Sequence, residues 1–199
     1  MLVVGLCGRS GSGKSAFCEL AKKDGFTVID CDKIYHNLTS RRTRCLTEIE
    51  KNFGSEVVEN DKLNRKKLAS IVFADKEKLK KLNSIAHRHI INRVSRRIAS
   101  IDAKNQNARV ILDAPTLFES GAYILCNAIV LVSAPEEDCI NRIVLRDNLT
   151  REQAVARLSN QLPVEYLAQR VNLHIINDAT LEQFENDCKT ALKIIKEKF

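Results

Sequence analysis

The chain has 199 residues, 44% of them apolar and 29% charged, with a formal net charge of +7. That is enough apolar material for one well-formed core, and it excludes disordered and fibrous classes. The longest apolar stretch, 122–134, is interrupted by Asn127 and Ser133 and is too short to cross a bilayer. The positive balance suits a partner rich in phosphate without separating a nucleotide from a polynucleotide.

Leu2 to Cys7 reads as a short buried strand that leaves no room for the basic and apolar regions of a signal peptide, so none is expected. Gly8-Arg9-Ser10-Gly11-Ser12-Gly13-Lys14-Ser15 follows, two glycines bracketing four residues and then Lys-Ser, the phosphate-loop pattern. Glycines let successive N–H groups turn inward onto a phosphate at the start of a helix. Lys14 supplies a mobile charge for the β- and γ-phosphates, and Ser15 a hydroxyl for the Mg²⁺ that accompanies the nucleotide. The expected helix runs from Lys14 to Asp24, with Gly25 at its break.

Phe26 to Asp32 runs apolar into two carboxylates, Asp30 and Asp32, expected to point to one side of a strand end beside the loop. From 34 to 106 apolar residues recur at helical spacing with no clear strand, which marks a helical insertion. Its polar positions are basic, including Arg41, Arg44, Arg65, Arg88, Arg93 and Arg96, and most of them read as a solvated face.

Arg109 to Asp113 is a second buried strand ending in a carboxylate of the kind that supports Mg²⁺. Ala128 to Val132 is a further strand, and Ser133-Ala134-Pro135-Glu136 is expected to cap a helix bearing Arg142 and Arg146. Thr150-Arg151-Glu152-Gln153 is a second capping box, opening a helix expected to carry Arg157 and Gln161. Residues 136–162 therefore form an arginine-bearing hairpin, suited to cover a transferred phosphoryl group. Leu173 to Asn177 is the last strand, and Thr180 caps a closing helix with an apolar stripe. Seven cysteines without a C-x-x-C pair read as reduced core thiols of a cytoplasmic protein.

Together these elements predict an α/β fold: a parallel sheet of about five strands flanked by helices, with a helical acceptor-substrate insertion and a helical lid. One domain spans 1–199, comprising a nucleotide-binding core (1–33, 107–135 and 163–199), the insertion (34–106) and the lid (136–162). Neither an Asn-Lys-x-Asp nor an Asp-x-x-Gly motif of GTPases occurs, which favours a kinase. Low aromatic content and the absence of Trp argue against a nucleic-acid partner. No obligate protein partner is expected.

The layout is that of nucleoside monophosphate kinase-like enzymes, and the chain resembles the dephospho-coenzyme A kinase family. The resemblance rests on the loop Gly8 to Ser15, on Val28 to Asp32, on Leu63 to Phe73 and on Leu82 to His87. It continues through Asp113 to Glu119, Arg142 to Asp147 and Thr150 to Gln161. It implies phosphoryl transfer from ATP, with Mg²⁺, to the ribose 3′-hydroxyl of 3′-dephospho-coenzyme A. Asp32 would be the general base, and Lys14 and Arg142 would stabilise the transferred group. ATP would be bound by Gly8, Ser10, Gly11, Ser12, Gly13, Lys14, Ser15 and Ala16, with Arg146 supporting the lid and Asn177 near the adenine. The acceptor would meet Asp32, Arg65, His87, Asp113 and Phe118, while Asp30 and Asp113 would serve as outer-shell partners of Mg²⁺. Departures from the family pattern are Arg9 in place of a loop Gly, Arg88 in place of a Pro after the His, and Arg170-Val171 in place of an Ala-Asp pair.

Overall fold

The computed structural model describes residues 1–199, which divide into two compact units: 1–29 with 101–199, and 30–100. In the first unit, strands β1 (Leu2–Cys7), β2 (Thr27–Asp30), β5 (Arg109–Asp113), β6 (Ala128–Ser133) and β7 (Leu173–Ile176) form one sheet in the order β2-β5-β1-β6-β7. The five strands are parallel, as expected from their near-continuous apolar runs. β1 sits at the centre, with Leu6 opposite Asp113 on one side and Val130 on the other. This register aligns the carboxyl ends of the central strands, where an α/β sheet opens its crevice.

Helices α1 (Lys14–Lys23) and α9 (Leu181–Lys198) close one face of the sheet. Phe17, Phe184, Leu192 and Ile195 are buried there against Val4, Ile111 and Val132. Burying such a side chain is worth about 1.5–3 kcal/mol, so this layer supplies much of the core's stability. Helices α6 (Glu136–Asp147) and α7 (Arg151–Ser159) make the hairpin, packed through Ile140, Ile143, Ala154 and Leu158. A short helix α8 (Val164–Ala168) leads into β7.

The second unit contains helices α2 (Cys31–Thr39), α3 (Arg44–Phe53), α4 (Arg65–Val72) and most of α5 (Lys76–Asp102). Its core is Cys45, Ile49, Phe53, Val57, Leu68, Val72, Leu82 and Ile85.

Four local expectations are corrected. Residues 34–106 are not free of strands: β3 (Val58–Glu59) and β4 (Lys62–Leu63) form an antiparallel hairpin. Its turn residues Asn60 and Asp61 have φ of 49° and 58°, the left-handed pair of a tight hairpin turn, which Asn and Asp tolerate. Asp30 and Asp32 do not share one side of a strand end, because the strand stops at Asp30, which N-caps α2 by accepting from the Lys33 N–H at 2.8 Å. Ser133 does not cap α6: it ends β6, its hydroxyl pairs with His174 Nε2 at 2.7 Å, and Pro135 takes the cap position. α7 stops at Ser159, so Gln161 lies beyond it. The Thr150 capping box forms with both of its hydrogen bonds, and the Thr180 hydroxyl caps α9.

Candidate active site

The loop Gly8 to Ser15 connects β1 to α1. α1 starts on Gly13, has no side-chain cap and carries no acidic residue in its first turn. Its leading N–H groups and positive dipole end are thus directed at whatever anion the loop holds. α6, by contrast, has Glu136, Glu137 and Asp138 in its first turn.

The backbone shape is enforced by contact as much as by glycine's freedom. At Gly11 (φ 79°) a Cβ would lie 2.6 Å from the Cys139 carbonyl oxygen. At Gly13 (φ 117°) it would lie 2.7 Å from the Asn177 amide nitrogen and 3.0 Å from the Phe184 ring. The result is a concave run of N–H groups that no side chain can enter.

Three side chains from later elements pin three successive loop residues. Gln161 Oε1 accepts from the Ser10 N–H at 2.9 Å. Arg142 donates to the Gly11 carbonyl at 3.1 Å. Asn177 donates its side-chain amide to the Ser12 carbonyl at 2.9 Å, and both of these residues are buried. Lys14 Nζ lies over the loop, donating to the Gly8 and Arg9 carbonyls at 2.7 and 3.0 Å. Arg9 pairs with Glu136 at 2.8 Å, fastening the loop to the first turn of α6. Donors held this rigidly need no reorganisation when charge arrives.

Ser15 is exposed in the first turn of α1, with Ala16 beside it. Asp113 ends β5, next to β1, and its Oδ2 accepts from the Cys18 thiol at 3.7 Å. The Ser15 hydroxyl and the Asp113 carboxylate are hard oxygen donors of the type Mg²⁺ prefers. No group of three or more His, Cys, Asp or Glu side chains is placed to hold a metal alone. That fits an ion that arrives on nucleotide phosphates and keeps few protein ligands. Phe118 stacks on Tyr123 with ring centroids 5.6 Å apart.

On the α6–α7 hairpin, Arg146 is engaged with Asp147 at 2.8 and 2.9 Å, and Arg157 reaches the same carboxylate at 2.7 Å. The hydrogen bond from Arg146 holds the Asp147 carboxyl down at about 2. Arg142 is therefore the hairpin arginine that touches the loop, and Arg146 locks the hairpin turn. Asn177, expected near the base of the nucleotide, has its amide committed to the loop backbone.

Asp30, Asp32, Arg65 and His87 belong to the second unit. Asp32 is exposed in the first turn of α2. His36, four residues on, shares that side of the helix, and Arg65 reaches His36 Nδ1 at 3.2 Å while lying over the Tyr35 ring. Arg65 thus meets α2 one turn beyond Asp32. Burial pushes the His87 ring below the usual histidine range, so it is neutral near pH 7. Next to it, Arg88 and His89 both bind Glu48, the latter at 2.8 Å, and these two hydrogen bonds lower the Glu48 carboxyl.

The loop contacts of Gln161 and Asn177 are not visible to a local reading of the sequence. Gln161 carried a signal in falling inside the family-like stretch Thr150 to Gln161, but its target 151 residues away had none.

A family model described as "Dephospho-CoA kinase" matches residues 2–183. The dephospho-CoA kinase of Lactobacillus acidophilus is 36% identical over 198 residues, 98% of each chain. That of Fusobacterium nucleatum is 35% identical over 195 residues, 96% of this chain and 98% of the other. Among solved structures, a Thermus thermophilus protein superposes over 100% of this chain and 97% of its own with a TM-score of 0.79 at 30% identity. The Campylobacter jejuni dephospho-CoA kinase gives a TM-score of 0.73 at 29% identity, covering 98% of this chain and 97% of that one. A shikimate kinase from Bacteroides thetaiotaomicron, 11% identical with a TM-score of 0.53, shares the fold.

Proposed function

The chain belongs to the dephospho-CoA kinase family, kinases of the final ATP-dependent step of coenzyme A biosynthesis, and on that premise we propose the roles of its residues. The reaction moves the γ-phosphoryl group of ATP to the ribose 3′-hydroxyl of 3′-dephospho-coenzyme A, releasing coenzyme A and ADP. The observation that carries this reading is the pinned phosphate loop, whose uncapped helix start and overlying Lys14 present donors to a polyphosphate.

In this proposal the N–H groups of Gly11, Ser12, Gly13 and Lys14 hold the β-phosphate, with Gly8 and Ser10 shaping the loop and Ser15 and Ala16 following at the helix start. Lys14 exchanges its carbonyl partners for the phosphate oxygens, and Arg142 stays at the loop to offset charge on the transferred group. Mg²⁺ fits the Ser15 hydroxyl, with Asp113 and Asp30 in its outer shell, and supplies charge neutralisation on the phosphates when bound.

Asp32 accepts the proton of the acceptor hydroxyl. A carboxylate suits a loose transition state, in which the base mainly orients the nucleophile. Arg65 of α4, which reaches His36 of α2, recognises acceptor phosphate, while neutral His87 and the Phe118 ring contact its uncharged parts. Arg146 supports the hairpin turn, and Asn177 acts through the loop backbone. The functional division is a nucleotide core (1–33, 107–135, 163–199), an acceptor-binding insertion (34–106) and a lid (136–162). Seven cysteines in no disulfide support a cytoplasmic setting; no helix is long and apolar enough to cross a membrane.

The test is to incubate the protein with MgATP and dephospho-coenzyme A and to quantify coenzyme A by chromatography against a Lys14→Ala control. Product in the wild type alone supports the assignment. Equal product in both, or none in either, removes it.

A further inference from the structure

The second unit contains a cavity of about 320 Å³ that shares no residue with the proposed acceptor site. Four arginines, Arg41, Arg44, Arg93 and Arg96, line it, and no carboxylate does. Its apolar wall is made by Ile34 and Leu38 of α2. The position is the reverse of the side that carries Asp32. Ile34 follows Asp32 by two residues and so lies about 200° round α2 from it. On α5 the relation repeats: the cavity takes His89, two residues past His87 and about 200° round that helix, with Arg93 and Arg96 continuing the same stripe.

Three other arginines of this unit have partners. Arg42 is neutralised by Glu50 at 2.7 Å and Arg88 by Glu48, while Arg65 binds His36. None of the four cavity arginines makes an ion pair or a side-chain hydrogen bond. Glu48, four residues after Arg44 on α3, is already engaged by Arg88 and His89. Thr43 N-caps α3 at the same cavity, so the positive end of a ten-residue helix adds to the field. Four unneutralised guanidinium groups around one concavity repel one another, and an anion with several charged oxygens relieves that repulsion while taking bidentate hydrogen bonds.

We propose that this cavity is a second binding site, for a small phosphorylated organic molecule bearing two or more phosphate charges, separate from the loop and from the acceptor site. The volume is at the lower end of small-molecule sites, enough for a diphosphate group with a modest body against Ile34 and Leu38. The site is independent of the proposed catalytic roles, and the two stand or fall separately.

The experiment is isothermal titration of inorganic tripolyphosphate into the full-length Lys14→Ala protein, which weakens the loop site. It is repeated with Arg93→Glu/Arg96→Glu and Arg93→Gln/Arg96→Gln added. Both exchanged arginines are exposed, and circular dichroism melts check that each variant folds. The expected result is saturable binding that weakens by about tenfold or more with either added pair. Equal affinity in the three proteins overturns the proposal. So does binding of a single-stranded RNA oligomer that is lost in the variants while tripolyphosphate does not bind, since that assigns the face to a polynucleotide.

Discussion

Replacing Asn177 by Asp leaves the side-chain shape in place and removes both amide donors. The Ser12 carbonyl, which takes the Asn177 amide at 2.9 Å in a buried setting, then faces a carboxylate oxygen instead of a donor. Leaving a buried carbonyl unsatisfied costs about 1–3 kcal/mol. With melting temperatures moving by about 2–4 °C per kcal/mol for a chain of this size, the variant should melt about 2–12 °C lower. The loop is also no longer held at its centre, and a negative charge stands behind it. The KM for ATP should therefore rise by about tenfold or more, equivalent to about 1.4 kcal/mol of lost binding. The KM for the acceptor should change little. Circular dichroism melts with initial-rate kinetics in each substrate read both effects. If the melting temperature holds within about 1 °C and the ATP KM within about twofold, the loop does not depend on this hydrogen bond.

Four further outcomes are expected. Gly11→Ala forces a Cβ to within 2.6 Å of the Cys139 carbonyl at a φ of 79°, so calorimetry should show ATP binding greatly weakened, and an unchanged affinity would show that α6 yields easily. Asp32→Asn should lower kcat by about 10²–10⁴ while ATP binding survives; full turnover would take Asp32 out of the base role. The folded Asp147 carboxyl lies at about 2 against an ordinary 3.8. A depressed folded value stabilises above the unfolded one, and that stabilisation fades as pH falls from about 4 towards about 2. The melting advantage of wild type over Asp147→Asn should accordingly shrink between pH 5 and pH 3, and a constant difference would remove the ionised pair as its cause. Finally, Cys7 and Cys188 are buried and pushed up to about 12, so mass spectrometry should find them unlabelled by N-ethylmaleimide at pH 8 until the protein is unfolded. Rapid labelling of the native protein would contradict that burial.

What was legible in the sequence is what is local. The strand, glycine loop and helix of the nucleotide site lie within one continuous stretch, and backbone chemistry at each residue dictates the turn. The five strands declared themselves as apolar runs because a parallel sheet is covered on both faces. Thr150 and Thr180 announced two helix starts because a cap and its target are three residues apart. Where two local solutions compete, the pattern does not choose. Asp30 can prolong a strand or cap a helix, and the cap prevails, accepting from the Lys33 N–H and turning Asp32 onto the first turn of α2. Ser133 had the same choice and went to the strand and His174.

Only the tertiary structure decided how the loop is held. Its braces at Ser10 and Ser12 come from Gln161 and Asn177, separated in sequence by 151 and 165 residues. The unbalanced arginine cavity is likewise assembled from α2, the start of α3 and the far side of α5. A polar side chain's partner is set by whichever backbone group the packed core brings within reach, and no periodicity or spacing encodes that distance. The sequence by itself determined the phosphate-loop pattern and its place along the chain; the packing of distant elements determined what holds that loop.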